Sequence, residues 1–197
     1  MSPAHPNRRS IRLPAYDYTR PGAYFITLVT AGRQCLFGEI LDGEMSTNAA
    51  GKIVQREWED IPRRFRFLEL DAFVVMPDHI HGIIIIRPTV GATRSDPTLA
   101  LSGSGPSPCM ALDGPEGSPL LPKILHRRSL GAIIAQFKPR VTKRIWKLPK
   151  MRGIPVWQRN YFEHVIRDDK DWDRIRRYIE HNPISWAADA EEPQYLG

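Results

Sequence analysis

The segment from His79 to Ile86 constrains the fold most, because its eight residues read H-I-H-G-I-I-I-I. The apolar run is far shorter than the roughly 18 residues that a membrane span requires. A strand that is apolar on both faces is typical of the middle of a covered sheet. We therefore expect this segment to be a central strand with packed layers around it.

The remaining pattern predicts further strands and three helices. Strands are predicted at residues 23–30, around Ile40, at 67–75 and at 156–166, because these runs are rich in aromatic and β-branched residues. Helices are predicted after a cap at residues 46–48, from Ser129 to 145, and over 169–182. Pro139 is expected to kink or split the second helix, and Pro183 to end the third. This order predicts an α+β fold with one mostly antiparallel sheet of about four or five strands.

The length and composition predict one interrupted domain. A chain of 197 residues suits a single domain. Residues 88–127 hold 7 Pro, 5 Gly and 5 Ser without periodicity, which predicts a disordered insertion. We expect a basic arm at 1–20, a domain at 21–186 interrupted by that insertion, and a tail at 187–197.

The charge is uneven along the chain. The overall formal charge is +6, but the stretch from Lys123 to Arg177 carries 16 Lys and Arg against 5 Asp and Glu, a net charge of +11. Such a basic region indicates a polyanion partner, and solvated helix faces would explain it equally well. Trp146, Trp157 and Tyr161 lie among these charges, and such rings either stack on unpaired bases or belong to the core.

The two cysteines, Cys35 and Cys109, have no C-x-x-C neighbour, which argues against a disulfide framework or a cysteine zinc site. The Pro-rich basic N-terminus has no apolar core and is not typical of a signal peptide. These features predict a cytoplasmic, nucleoid-associated protein without membrane contact, and the sequence indicates no protein partner.

His79 and His81 are two apart on a predicted strand, so their side chains leave the same face. Two imidazoles in this arrangement can share a divalent cation. The alternative is an inert pair of hydrogen-bonded histidines. The apolar run beside them favours a function, because buried imidazoles are costly unless they are satisfied.

Tyr178 and Asn182 are four apart and lie on one face of the predicted last helix. Ordinary packing of Tyr178 and a helix-end role for Asn182 are the alternatives. Together with the histidines they form a set with a mechanism: His79, His81 and the Asn182 amide oxygen as ligands for Mg²⁺ or Mn²⁺, and Tyr178 as the nucleophile.

Four separated blocks resemble the REP-associated tyrosine transposases, a branch of the single-tyrosine HUH (His-hydrophobic-His) transposases. The blocks are M-P-D-H-I-H-G at 76–82, S-L-G-A-I-I-A-Q-F-K at 129–138, W-Q-R-N-Y-F-E-H-V-I-R at 157–167 and R-R-Y-I-E-H-N-P at 176–183. The resemblance covers roughly residues 10–87 and 127–186, and the four blocks occur in the family's order. The H-x-H alone would not identify the family.

The resemblance implies a ferredoxin-like or RRM-like sheet packed with helices. It also implies a metal-dependent single-stranded DNA endonuclease and strand transferase acting on hairpins of repetitive extragenic palindromes. Tyr178 would form a 5′-phosphotyrosine, while His79, His81 and Asn182 would bind the metal. The long insertion and Pro139 depart from the family pattern.

The DNA contacts are expected from basic side chains and one tyrosine: Arg8, Arg9, Arg12, Lys138, Arg140, Lys143, Arg144, Arg159 and Tyr161. The alternative function is a non-catalytic single-stranded nucleic-acid-binding module of RRM-like fold. A two-histidine phosphodiesterase is disfavoured because the chain has only one H-x-H.

Overall fold

The computed structural model describes residues 17–88 and 128–186. The predicted insertion therefore lies almost wholly outside the described residues, as do most of the N-terminal arm, the tail after residue 186, and Arg8, Arg9 and Arg12. Within the described ranges, no helix combines the length and apolarity needed to cross a membrane.

The described chain forms six strands, four α-helices and one 3-10 turn at Ala31–Arg33. In chain order they are β1 (Gly22–Val29), β2 (Gly38–Leu41), β3 (Glu44–Thr47), α1 (Ala49–Glu59), α2 (Ile61–Arg64), β4 (Leu68–Val75), β5 (His79–Ile86), α3 (Leu130–Ile145), β6 (Phe162–Ile166) and α4 (Asp169–Ser185). Asn48 and Ser129 cap α1 and α3 through their side chains, as predicted, and Asp168 caps α4.

Four strands make one antiparallel sheet in the order β4-β5-β1-β6, and β2 pairs with β3 in a separate hairpin. Apart from that hairpin and the short α2, the order of elements is β-α-β-β-α-β, the ferredoxin-like arrangement, followed by α4. The predicted α+β class with a mostly antiparallel central sheet is confirmed.

Helices cover both faces of this sheet. On one face, α1 and α3 pack over strand residues that include Tyr24, Ile26 and Ile84. On the other face, α4 packs through Ile175 and Ile179 against side chains of β1, β5 and β6. The run from His79 to Ile86 is therefore apolar on both faces because β5 lies between two layers.

Three predicted boundaries differ from the structure. Pro139 is expected to kink or split α3, but the helix is not split there. Phe137 and Val141, on either side of the proline, are both buried in the same core. Helix α4 includes Pro183 and ends two residues later at Ser185, so the predicted end at the proline is wrong. The strand predicted from 156 begins only at Phe162, and before it Trp157 makes an isolated bridge to Thr30.

Candidate active site

The histidine pair lies at the start of β5, on the sheet face that α4 covers. Thr27 of β1 is directly opposite His81 in the antiparallel register, and Val29 is opposite His79. The Met76–Asp78 turn leads into β5. Two backbone hydrogen bonds hold this turn in place, from Thr30 N to Asp78 O and from Phe37 N to Pro77 O. The strand pairing thus fixes the backbone positions from which both imidazole side chains project.

The Nδ1 atoms of the two rings are occupied by neighbouring side chains. His79 Nδ1 lies 2.5 Å from Asp78 Oδ1, and His81 Nδ1 lies 2.8 Å from Thr27 Oγ1. The two Nε2 atoms face each other at 3.0 Å. A carboxylate or hydroxyl partner on one ring nitrogen orients the other nitrogen, which is the usual support of a metal-binding histidine.

The environment keeps His81 neutral. Its side chain is buried, and burial together with the neighbouring His79 holds the pKa of His81 well below its usual range. The 3.0 Å between the two Nε2 atoms is the length of an N–H···N hydrogen bond, and it also matches two ligands of one cation. Two ligands on adjacent positions of an octahedral ion, each about 2.1 Å from it, are roughly 3.0 Å apart.

The histidine pair therefore fits a divalent cation by its donor atoms and their separation. The fit depends on an amide or on non-protein ligands for the remaining positions. Within the described ranges, no group of three or more His, Cys, Asp and Glu side chains is arranged to hold a metal ion. A site of two imidazoles and one amide oxygen contains only two side chains of these types.

Tyr178 reaches the same point from α4. Its hydroxyl lies 3.3 Å from His81 Nε2, and the centres of the two rings are 5.1 Å apart. Phe25 of β1 supports both rings, stacking on His81 and meeting Tyr178 edge to face. Residues 97 positions apart in the chain are brought into contact here, so the predicted grouping of Tyr178 with His81 is present in the fold.

Asn182 follows Tyr178 by one helical turn and is buried, with 5% of its surface exposed. Trp186, just after α4, places its ring 5.7 Å from the ring of His79. Because α4 continues through Pro183, this end of the helix stays over the start of β5. The wall that Trp186 adds to the site was not predicted from the sequence.

An anchor at Asp71 holds α4 against the edge strand β4. Arg176 donates through Nε and Nη2 to the two carboxylate oxygens of Asp71 at 2.7 and 2.8 Å, and Trp172 donates its indole N–H at 2.5 Å. Partial burial raises the pKa of Asp71, but the hydrogen bonds from Arg176 and Trp172 outweigh it and keep the pKa below its usual value. The register of β4 against β5 shifts between Leu70 and Phe73, and Asp71 lies at this irregularity.

Sequence reasoning missed Asp71, Thr27 and Asp78 as supporting residues. Asp78 could have been recognised as a supporting residue from the sequence, since it directly precedes His79. Thr27 could not, because its contact with His81 depends on which residue of β1 pairs with that histidine.

The basic residues predicted to bind DNA are not gathered at this site. Helix α3, which carries Lys138, Arg140, Lys143 and Arg144, packs on the opposite face of the sheet from α4. Lys143 and Arg159 are exposed. The structure therefore separates the basic side chains of α3 from the histidine–tyrosine cluster.

Lys138 has a role within the fold. Its ammonium donates to the carbonyl oxygens of Gln158 and Asn160 at 2.9 and 2.8 Å, and it lies 5.9 Å from the ring centre of Tyr161. Burial lowers the pKa of Lys138 to about 8. These contacts hold the segment that precedes β6.

Comparison with known proteins confirms the resemblance predicted from the four sequence blocks. An uncharacterised protein of Haemophilus influenzae is 39% identical over 183 residues, covering 93% of this chain and 92% of the relative, and the two therefore belong to one family. A second H. influenzae protein, named "Putative REP-associated tyrosine transposase", is 25% identical over 176 residues, covering 85% of this chain and 73% of its own length. No family model matches the chain.

The fold is shared with a solved REP-associated tyrosine transposase bound to a REP hairpin. The TM-score is 0.52 at 19% identity, and the match covers 89% of this chain and 74% of the other.

Proposed function

We propose that this chain, whose family is related in sequence and fold to the REP-associated tyrosine transposases, is a metal-dependent enzyme that cuts and rejoins single-stranded DNA. Its relatives support a DNA-processing enzyme of the transposase type. The finer proposal is that Tyr178 forms a covalent 5′-phosphotyrosine, and that the substrate is a hairpin-forming repetitive extragenic palindrome.

One observation carries the proposal: the hydroxyl of Tyr178 lies 3.3 Å from His81 Nε2, which itself lies 3.0 Å from His79 Nε2. A tyrosine that only packed in the core would not need two imidazole nitrogens beside its hydroxyl. A nucleophile next to a pair of potential metal ligands is the arrangement that phosphoryl transfer to a side chain requires.

His79, His81 and the amide oxygen of Asn182 are the residues proposed to hold the ion. Mg²⁺ or Mn²⁺, when bound, would polarise the scissile phosphate and orient it. Asp78 and Thr27 fix the orientation of the two rings through their Nδ1 atoms, which leaves the Nε2 atoms as the ones that would hold the ion.

The chemistry is a transesterification at phosphorus. The Oη atom of Tyr178 attacks the phosphate, the bond from phosphorus to the 3′ oxygen breaks, and the tyrosyl proton ends on the released 3′-OH. One phosphodiester bond is exchanged for another, so no water and no energy source are consumed. The reverse attack by a 3′-OH rejoins the strand and frees Tyr178.

The rival function, a non-catalytic single-strand binding module, is disfavoured by the covered sheet. Modules of RRM type stack unpaired bases on aromatic side chains of an open sheet face. Here Tyr24 and Phe25 are buried, and helices pack on both faces. The described sheet thus has no open aromatic platform.

The test is to incubate the protein with a single-stranded DNA hairpin and Mn²⁺ and to detect a covalent adduct on a denaturing gel. The wild-type protein and Tyr161→Phe are expected to form the adduct, because Tyr161 packs in the other layer of the fold. Tyr178→Phe should form none. An adduct with Tyr178→Phe, or its absence in the wild type, would overturn the mechanism.

The histidines are tested separately from binding. His79→Ala and His81→Ala should abolish metal-dependent cleavage while hairpin affinity stays within about two-fold of wild type. An equal loss of binding would assign the histidines a structural role.

A further inference from the structure

A buried carboxylate between α1 and α3 gathers three arginines on the sheet face opposite Tyr178. Glu57 is fully buried. Its Oε2 accepts from Arg64 Nη1 and from Arg140 Nε, both at 3.1 Å, and its Oε1 lies 2.5 Å from Arg144 Nε. Three guanidinium groups thus surround one negative charge.

Arg64 alone is enough to neutralise Glu57. It bonds both the carboxylate and the backbone oxygen of Glu57, and its side chain is only 20% exposed. Arg140 and Arg144 are then surplus, and the cluster carries a net charge of +2. Like charges held this close are costly unless a further anion joins them.

The two surplus arginines are presented toward solvent. Both side chains are 46% exposed, and they lie one helical turn apart on α3. Arg140 donates its Nε to Glu57 Oε2, whereas Arg144 forms an ion pair with Oε1 without hydrogen-bond geometry. Among the described residues, no hydrogen bond from an Nη atom of either arginine is found. Lys143 on the same helix and Lys147, two residues after its end, are also exposed.

A phosphate group fits this arrangement. Guanidinium N–H groups in a fixed fork bind phosphate oxygens in a bidentate manner, and a guanidinium that is held in place loses less side-chain entropy on binding. A carboxylate can accept from more than one arginine, but a second and a third guanidinium add positive charge that one carboxylate does not balance. The excess of two half-exposed arginines is what points to an anion from outside.

We propose that Glu57 holds Arg140 and Arg144 as a clamp for the phosphodiester backbone of DNA, on the face of the sheet opposite Tyr178. The clamp rests on the proposed function for the identity of the anion. A DNA hairpin that reaches both places extends around the edge of the sheet, with its backbone on α3 and its scissile phosphate at Tyr178.

The test measures hairpin affinity over a series of salt concentrations, without divalent metal so that no cleavage occurs. Each phosphate contact contributes a slope of about 0.9 to the plot of log affinity against log salt. The double variant Arg140→Gln/Arg144→Gln should lower that slope by roughly 1.8, and affinity at 0.15 M salt by roughly 30-fold. A lost structural contact alone would leave the slope unchanged, and an unchanged slope overturns the clamp.

Arg174→Gln is the matched control. Its side chain is 45% exposed and paired with a carboxylate, Asp171, but it lies on α4. Its effect on the slope should be less than half that of either α3 single variant. An equal effect would assign the change to net charge and overturn the site.

Glu57→Gln tests the positioning. Net charge alone predicts tighter DNA binding, because a negative charge is removed. The clamp predicts weaker binding, by five-fold or more, because Arg140 and Arg144 lose the carboxylate that orients them. Tighter binding by a folded Glu57→Gln protein would overturn the positioning role, and the arginine variants decide the matter if this variant does not fold.

The outcomes separate this inference from the proposed function. A wild-type protein that forms no adduct, but whose salt slope falls in the double variant, keeps the clamp and loses the strand-transfer mechanism. The opposite result keeps the mechanism and loses the clamp.

Discussion

Substituting Gly82 by alanine should strongly destabilise the protein, because the indole of Trp58 occupies the space of the missing side chain. A Cβ atom at Gly82 would lie 2.3 Å from Trp58 Cζ2 and 2.7 Å from Cη2. Ordinary carbon contacts are about 3.5–4.0 Å. The indole would have to move by more than about 1 Å to restore such a contact.

Trp58 has little room for that movement. It is stacked on Phe73 with ring centres 4.6 Å apart, and it meets the edge of Phe137 at 5.8 Å. Only 1% of its surface is exposed. Overpacking a well-packed core costs typically 1–3 kcal/mol, and we expect Gly82→Ala to lie at the upper end, about 3 kcal/mol. That is a large part of the 5–15 kcal/mol by which domains are usually stable.

The assay is urea unfolding of Gly82→Ala, of Trp58→Phe and of the double variant. Trp58→Phe makes room, and it also removes a buried indole N–H for which no hydrogen-bond partner is found among the described residues. The double variant should therefore be more stable than the sum of the single effects predicts, by at least about 1 kcal/mol. Simple additivity, or a loss below about 0.5 kcal/mol for Gly82→Ala, would refute the steric argument.

Three further predictions concern Thr27 and Asp71, which support the site, and Lys138, which supports the fold on the other face of the sheet. Thr27→Val removes the partner of His81 Nδ1 and should weaken Mn²⁺ binding by about 10–100-fold, as measured by calorimetric titration; unchanged affinity would remove the proposed support. Asp71→Asn weakens the bidentate pair with Arg176, so adduct formation should slow while the adduct still forms on Tyr178. Because the pKa of Asp71 is lowered in the folded protein, its contribution to stability is present above its unfolded pKa of about 3.9 and is lost as the pH falls further. Wild type should therefore lose more stability than Asp71→Asn between pH 5 and 2. Parallel stability curves for the two proteins would contradict this. Lys138→Met removes two hydrogen bonds to backbone carbonyls and should destabilise the protein by roughly 1–3 kcal/mol. It should change the salt slope of DNA binding less than Arg140→Gln or Arg144→Gln does. The reverse ranking would make Lys138 a DNA contact.

The elements of this fold could be predicted from local patterns, and their exact ends could not. The central strand from His79 to Ile86, a cap within residues 46–48, the cap at Ser129 and the α+β class all follow from composition and spacing. Pro139 shows where local rules stop. The helix continues because buried side chains before and after the proline pack in one core, and that packing is a tertiary effect.

The same division applies to the candidate site. Spacing alone places His79 and His81 on one face of a strand, and Tyr178 and Asn182 on one face of a helix. Four sequence blocks indicate the resemblance to REP-associated tyrosine transposases, which a relative of that name at 25% identity supports.

Only the tertiary structure decided which groups meet. It brings the Tyr178 hydroxyl to His81, pairs Thr27 with the Nδ1 atom of that histidine, and holds α4 through Asp71. It also places the basic helix α3 on the other face of the sheet, although Tyr178 directly follows the basic stretch of the chain that contains α3. Helical and strand periods are properties of a few neighbouring residues, whereas strand register and the face that a helix covers depend on burying the whole apolar surface at once.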